Sequence, residues 1–183
     1  MKKHKYKSNE EYIEAQLSKT TRHPNKVFVL PTTIDAICDY LHDEDIENGL
    51  CHGVRSGAEV DNFTNKLDID VIGTDLLPND HPDVIKHDFH IQKPEWINHF
   101  DMIYSNSTDH SHSPEQCIET WIEQLSDKGF LFIEWTTYHQ NCNNVDCFGA
   151  TLEEYEKLME KYIYGRIELD DKRKTTVFVL RRK

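Results

Sequence analysis

Short apolar runs separated by segments of helical period set the rhythm of this chain. Five runs read as strands: 47–52, 69–74, 84–88, 100–105 and 129–135. The last, Gly129-Phe-Leu-Phe-Ile-Glu-Trp135, is apolar enough for the middle of a sheet. Residues 56–66 and 114–126 take the helical period, the second with Ser113 as N-cap and Pro114 at N1. Two helices are expected before the sheet. One spans 9–20, with Ser8 as N-cap and Glu10 and Glu11 in its first turn; the other spans 33–43, with Ile34, Ile37, Cys38 and Leu41 on one face. Between them, the apolar run 27–30 is stopped by Pro31. A helix at 152–161 opens on Thr151 with Glu154 at N3, a capping box. The final strands, 163–169 and 174–181, are joined by so short a link that they must form an antiparallel hairpin.

Alternating strands and helices predict a parallel sheet covered on both faces. With the closing hairpin this gives an α/β, three-layer, seven-stranded, mostly parallel sheet. One domain is expected over residues 1–183, with a helical segment at 1–44 and a sheet core at 45–183. Ligands of such sheets sit at the carboxyl ends of the strands.

That edge carries the most distinctive local pattern. The strand Gly49-Leu-Cys-His runs into Gly53-Val-Arg-Ser-Gly57 and then a helix, and the following strand ends on Asp75. Glycines at 53 and 57 allow close approach and positive φ, and a helix starting near Ser56 directs free N–H groups at anything negative. Asp75 stands where α/β sheets place a carboxylate for ribose hydroxyls. A nucleoside ligand follows from this arrangement.

Composition narrows the partners. Against 33 acidic residues stand 21 basic ones, a net charge of −12, and no basic stripe lies between the two ends, which makes nucleic acid a poor substrate. No apolar run of about 18 residues exists to span a membrane. The basic start, Met1-Lys-Lys-His-Lys-Tyr-Lys7, leads into polar residues rather than a signal-peptide core, so the cytoplasm is expected. Five scattered cysteines read as reduced thiols.

In strand order and in its closing hairpin the chain resembles the class I S-adenosylmethionine-dependent methyltransferases, whose fold is Rossmann-like. The resemblance covers roughly residues 45–183 and rests on the order and spacing of short motifs. Gly53-Val-Arg-Ser-Gly57 looks like the glycine turn, Asp75 with Leu76 like the ribose-binding end of the second strand, and Asp88-Phe89 like the adenine-contacting pair. Ser105-Asn-Ser-Thr-Asp-His110 looks like the loop facing substrate, with Ser105 and Asn106 beside the cofactor. Two positions depart from the family: Arg55 replaces the middle glycine, and Cys51 the acid that supports binding near the methionine amino group. Arg55 either faces the methionine carboxylate or points to solvent from a turn that no longer binds.

The resemblance implies S-adenosyl-L-methionine as cofactor and methyl transfer to a small polar acceptor, with oxygen the expected acceptor atom. In-line positioning supplies most of such a rate, and a base helps when the acceptor is a hydroxyl. His110 is the first candidate base with Asp109 as its orienter; alternatively both only shape the loop before the Pro114 helix. Tyr138, His139 and Asn141 in the long loop 136–150 suit a substrate-facing segment. Trp121, Phe130, Phe132 and Trp135 read as core.

His81, His87, His90, His99, His110, His112 and His139 cluster near the same rim, and Cys142 and Cys147 could add two ligands, yet none has the spacing of a zinc site. Surface histidines and no bound metal are expected. A dinucleotide oxidoreductase fits less well, because Gly-x-Gly-x-x-Gly is absent. A second class of reading is a non-catalytic nucleoside-binding module that kept the fold. So short a chain also leaves room to complete its site as a homodimer.

Overall fold

A computed structural model describes residues 1–22, 26–77 and 80–183. In chain order the elements are β1 (Lys2–Lys3), α1 (Asn9–Arg22), α2 (Pro31–Tyr40), β2 (Asn48–His52), α3 (Ala58–Leu67), β3 (Asp70–Asp75), β4 (Val84–Lys86), β5 (Phe100–Ser105), α4 (Pro114–Gln124), β6 (Leu125–Trp135), β7 (Phe148–Gly149), α5 (Leu152–Met159), β8 (Ile163–Glu168) and β9 (Thr176–Leu180). Seven strands form one sheet in the order β4-β3-β2-β5-β6-β9-β8. The pairs from β4 to β6 are parallel; β9 runs antiparallel to both β6 and β8. This is the α/β sheet and closing hairpin expected from the pattern.

The sheet separates two apolar layers, as period-2 alternation requires. Ile103 of β5 faces Trp121 and Ile118 of α4 and Tyr155 of α5, while Met102 and Tyr104 face Ile34 and Ile37 of α2 and Phe63 of α3. Trp121, Phe130, Phe132 and Trp135 are all core. Among the described residues no helix is long and apolar enough to cross a membrane.

Several boundaries differ from the sequence reading. Pro31 both ends the run 27–30 and opens α2 at its first turn. Helix α3 begins at Ala58 rather than Ser56, because Gly57 holds a left-handed conformation with φ 85°. Ser113 makes no side-chain cap; instead its N–H donates to Ser111 Oγ at 3.0 Å. Strand β4 stops at Lys86, since the Asp88 carboxylate folds the next residues into a turn by accepting His90 N–H at 3.0 Å. The Thr151–Glu154 capping box forms. The pairing of β1 with β7, which ties the amino end to the loop after β6, had no local signature.

Candidate functional site

Where the parallel strands end, the loops enclose a cavity of about 510 Å³. Its first wall is the turn after β2. Gly53, Arg55 and Gly57 all have positive φ, at 76°, 46° and 85°. Ser107 approaches Gly53 so closely that a Cβ there would lie 2.6 Å from Ser107 Cβ. The turn's amides point inward. Gly53 and Val54 N–H donate to Thr74 O (2.8 and 3.1 Å), Gly57 N–H to Val54 O (3.0 Å), and Arg55 N–H to Asp75 Oδ2 (2.9 Å). The amides of Gly53, Val54, Arg55 and Gly57 are therefore engaged within the protein, and the carbonyls of Gly53, Val54 and Gly57 accept from Ser107 Oγ, Gly57 N–H and Asp61 N–H. The Arg55 side chain does border the cavity, with its guanidinium 5.0 Å over the Phe28 ring.

Asp75 borders the same cavity, with Leu76 next to it. Its Oδ1 accepts Leu77 N–H at 3.0 Å and its Oδ2 accepts Arg55 N–H, so the carboxylate is fixed while each oxygen keeps a lone pair. Phe89 forms an aromatic wall beyond it, set edge-on to Trp121 with 5.4 Å between ring centres. Trp121 Nε1–H donates to Phe89 O at 3.0 Å and holds that wall in place. Asn106 faces the cavity as well.

Four of the residues singled out in the sequence lie behind this surface. Cys51 is fully buried in the α2–α3 layer; burial and the nearby Glu59 charge push its thiol pKa well up. Gly57 packs against His81. Asp88 is held by His90, whose Nδ1 lies 2.6 Å from its carboxylate. Ser105, fully buried, donates from Oγ to His52 O and accepts from Ser107 N–H, both at 3.1 Å.

At the ends of β5 and β6 the cavity meets Asp109, His110, Tyr138, His139, Asn141 and Asp146. Gln16 of α1 fixes the tautomer of His110. Its Nε2 donates to Val145 O (2.8 Å), leaving Oε1 to accept from His110 Nδ1 (2.9 Å). The remaining lone pair, on His110 Nε2, faces the Lys19 ammonium at 3.2 Å. Burial, with Lys19 adding to it, pulls the His110 pKa down despite the Asp109 and Asp146 charges. His139 has the opposite tautomer: Nδ1 accepts Thr136 N–H at 2.7 Å, and Nε2–H points at Asn106 O at 3.3 Å. Between the rings sits Asp109 Oδ1, 3.8 Å from His110 Nε2 and 3.7 Å from His139 Nε2. Asp109 is only 9% exposed, and this oxygen has no hydrogen-bond partner. His110 Nε2 is thus capped by Lys19, while Asp109 Oδ1 beside it has no hydrogen-bond partner.

Ligand atoms of Asp109, His110 and Asp146 lie within 4.8 Å of one another, close enough for a cation. Lys19 supplies that charge, with Nζ 2.5 Å from Asp146 Oδ1. Its hydrogen bond and charge hold the Asp146 pKa below the usual carboxylate range even though burial acts the other way.

Two cavity acids escaped the sequence reading. Glu59, in the first turn of α3, is 5% exposed, and Glu134, near the end of β6, is 2% exposed. Tyr104 OH donates to Glu134 Oε2 at 2.8 Å. Burial, reinforced by the Glu134 charge, pushes the Glu59 carboxyl up to about 7, and burial also raises Glu134. The signal was present: Glu134 is a charge inside the most apolar strand, and Glu59 shares a helix face with Phe63, four residues on.

No protein-family model matches the chain, and no curated protein matches it in sequence. Solved structures do match. A 1,6-didemethyltoxoflavin-N1-methyltransferase of Burkholderia thailandensis, with 1,6-didemethyltoxoflavin and S-adenosylhomocysteine bound, aligns at TM-score 0.76 and 12% identity over 98% of this chain and 92% of its own. A TehB-like SAM-dependent methyltransferase of Corynebacterium glutamicum aligns at TM-score 0.62 and 16% identity, covering 95% and 98% of the two chains. The CurJ carbon methyltransferase aligns at 0.64 and 13% over 81% of this chain and 52% of its own. The chain has the fold of the S-adenosylmethionine-dependent methyltransferases.

Proposed function

We propose that this protein binds S-adenosylmethionine and transfers its methyl group to a small polar acceptor at a hydroxyl oxygen. The observation that carries this reading is one cavity joining a fixed, lone-pair-bearing Asp75 at the β3 end to an unengaged Asp109 beyond the β5 end. The residues suit the cofactor. Asp75 accepts from ribose hydroxyls, Phe89 covers the adenine, and Arg55 and Lys26 supply positive charge for a carboxylate at the mouth. When bound, the cofactor supplies an electrophilic methyl group on a sulfonium.

The chain's own part is to place and deprotonate the acceptor. The Asp109 carboxylate at the cavity wall receives the hydroxyl proton, and its burial strengthens that contact. His139 Nε2 stands 3.7 Å from Asp109 Oδ1, with its N–H directed at Asn106 O. The fold alone does not choose the acceptor atom, because matching structures include a nitrogen and a carbon methyltransferase; the carboxylate favours a group that must lose a proton. Calorimetric titration with S-adenosylhomocysteine tests the cofactor, and absence of binding refutes the reading. Transfer of labelled methyl from S-adenosylmethionine into a panel of phenols, alcohols and amines tests the acceptor. Label appearing in amines alone overturns the oxygen assignment.

A further inference from the structure

Glu59 and Glu134 are buried acids of the cavity wall without a part in the chemistry above. One comes from α3 and one from β6; both line the cavity, the Glu134 charge acts on Glu59, and Asn106 hydrogen-bonds to Glu59. Each has some compensation: Arg55 bears on Glu59, and His139 and Arg173 on Glu134. Burial outweighs it in both cases, so the carboxyls remain harder to ionise than in water. Cys51 and Tyr104, which also face this pair, add no positive charge. Two carboxylates held this way gain stability from any cation that enters the cavity.

Sheet order says which cation. Asp75 ends β3, Gly53 follows β2, Asn106 follows β5 and Glu134 lies near the end of β6, and these strands are neighbours in that sequence. A ligand with its ribose at Asp75 and its methyl directed at Asp109 must cross the Gly53 turn, and its amino-acid portion then lies over Glu59. We infer that Glu59 binds the α-ammonium of the cofactor's methionine portion, with Glu134 as the second carboxylate behind it. The inference rests on the cofactor reading proposed above. It also accounts for a buried acid on the otherwise apolar face of α3, opposite a strand position that holds the thiol of Cys51.

The test is Glu59→Gln in the full chain, titrated with two nucleosides. S-Adenosylhomocysteine carries the ammonium, and 5′-methylthioadenosine has the same nucleoside without the amino-acid portion. The variant should bind S-adenosylhomocysteine about ten- to a hundredfold more weakly while holding 5′-methylthioadenosine within about twofold. Wild-type affinity for S-adenosylhomocysteine should rise between about pH 6 and about pH 8 as Glu59 ionises, and the variant should lose that dependence. Unchanged affinity for both ligands, or equal loss of both, overturns the inference. Wild-type protein that binds neither nucleoside overturns the cofactor reading itself, and this assignment with it.

Discussion

Lys19 Nζ lies 3.2 Å from His110 Nε2, on the only lone pair of that ring not already protonated. A histidine so capped cannot take a proton from an acceptor, whereas Asp109 Oδ1 beside it has no partner. Asp109→Asn should therefore slow methyl transfer by about 10²- to 10⁴-fold, and His110→Gln by less than about tenfold. Single-turnover transfer of labelled methyl to whichever panel compound accepts it measures both. A larger loss in the histidine variant would restore His110 as the base.

The same contact sets the titration of His110. Burial and the Lys19 charge lower its pKa, while Asp109 and Asp146 act to raise it. Lys19→Ala removes a lowering influence and leaves two raising ones, so the His110 pKa should move upward. Proton NMR of the imidazole across the pH range would show it, and a downward or absent shift would contradict the geometry.

Gly53 is required for space as well as for its positive φ. An alanine Cβ would meet both Ser107 Cβ and Oγ at 2.6 Å, at a backbone φ of 76°. Gly53→Ala should cost more than about 1 kcal/mol in urea denaturation and weaken nucleoside binding. Adding Ser107→Gly should recover part of the stability, because it removes the clash but not the unfavourable φ. No recovery would mean that conformation alone is responsible.

His52 makes stability depend on pH without touching the cavity. It is buried against Trp121, with 4.9 Å between stacked ring centres, and its nitrogens engage Thr74 Oγ1 and Gln124 Oε1. Burial lowers its pKa from 6.5 to about 3. Below 6.5 the unfolded chain takes up a proton that the folded chain refuses, so stability falls as pH drops from 6.5 toward 3 and is unaffected above. The slope from this one group is about 1.4 kcal/mol per pH unit. Thermal melts of wild type and His52→Gln across that window should converge as the pH falls; parallel curves would exclude the effect.

The sheet was legible because its central strands are buried on both faces and hence almost wholly apolar, as Phe130 to Ile133 illustrate. The fixed place of Asp75 could be read from its position at a strand end. What escaped the sequence was polar and long-range. The capping of His110 depends on Gln16, 94 residues away, and no local pattern announces a contact at that separation. The glycine turn misled in a different way. Its spacing correctly indicated close approach, but the amides of Gly53, Val54 and Arg55 are directed by the carbonyl of Thr74 and the carboxylate of Asp75 on the next strand. Cys51 was counted at the rim because it falls two residues before Gly53, whereas strand alternation turns its side chain into the α2–α3 layer.

Helix α1 bears on how the chain is made. Its Gln16 and Lys19 bind Val145 O and Asp146, partners 129 and 127 residues further along, and Lys2 and Lys3 pair with Gly149 and Phe148. During synthesis the amino-terminal helix emerges well before any of these partners exists. Closing so long a loop brings no gain until β6 and the residues after it have been added. The sheet from β2 to β5 can assemble in the meantime, while Tyr12 and Gln16 wait without their final neighbours. Helix α1, made before α2 to α5, is thus among the last pieces to be seated, and the His110 and Asp146 side of the cavity takes shape only then.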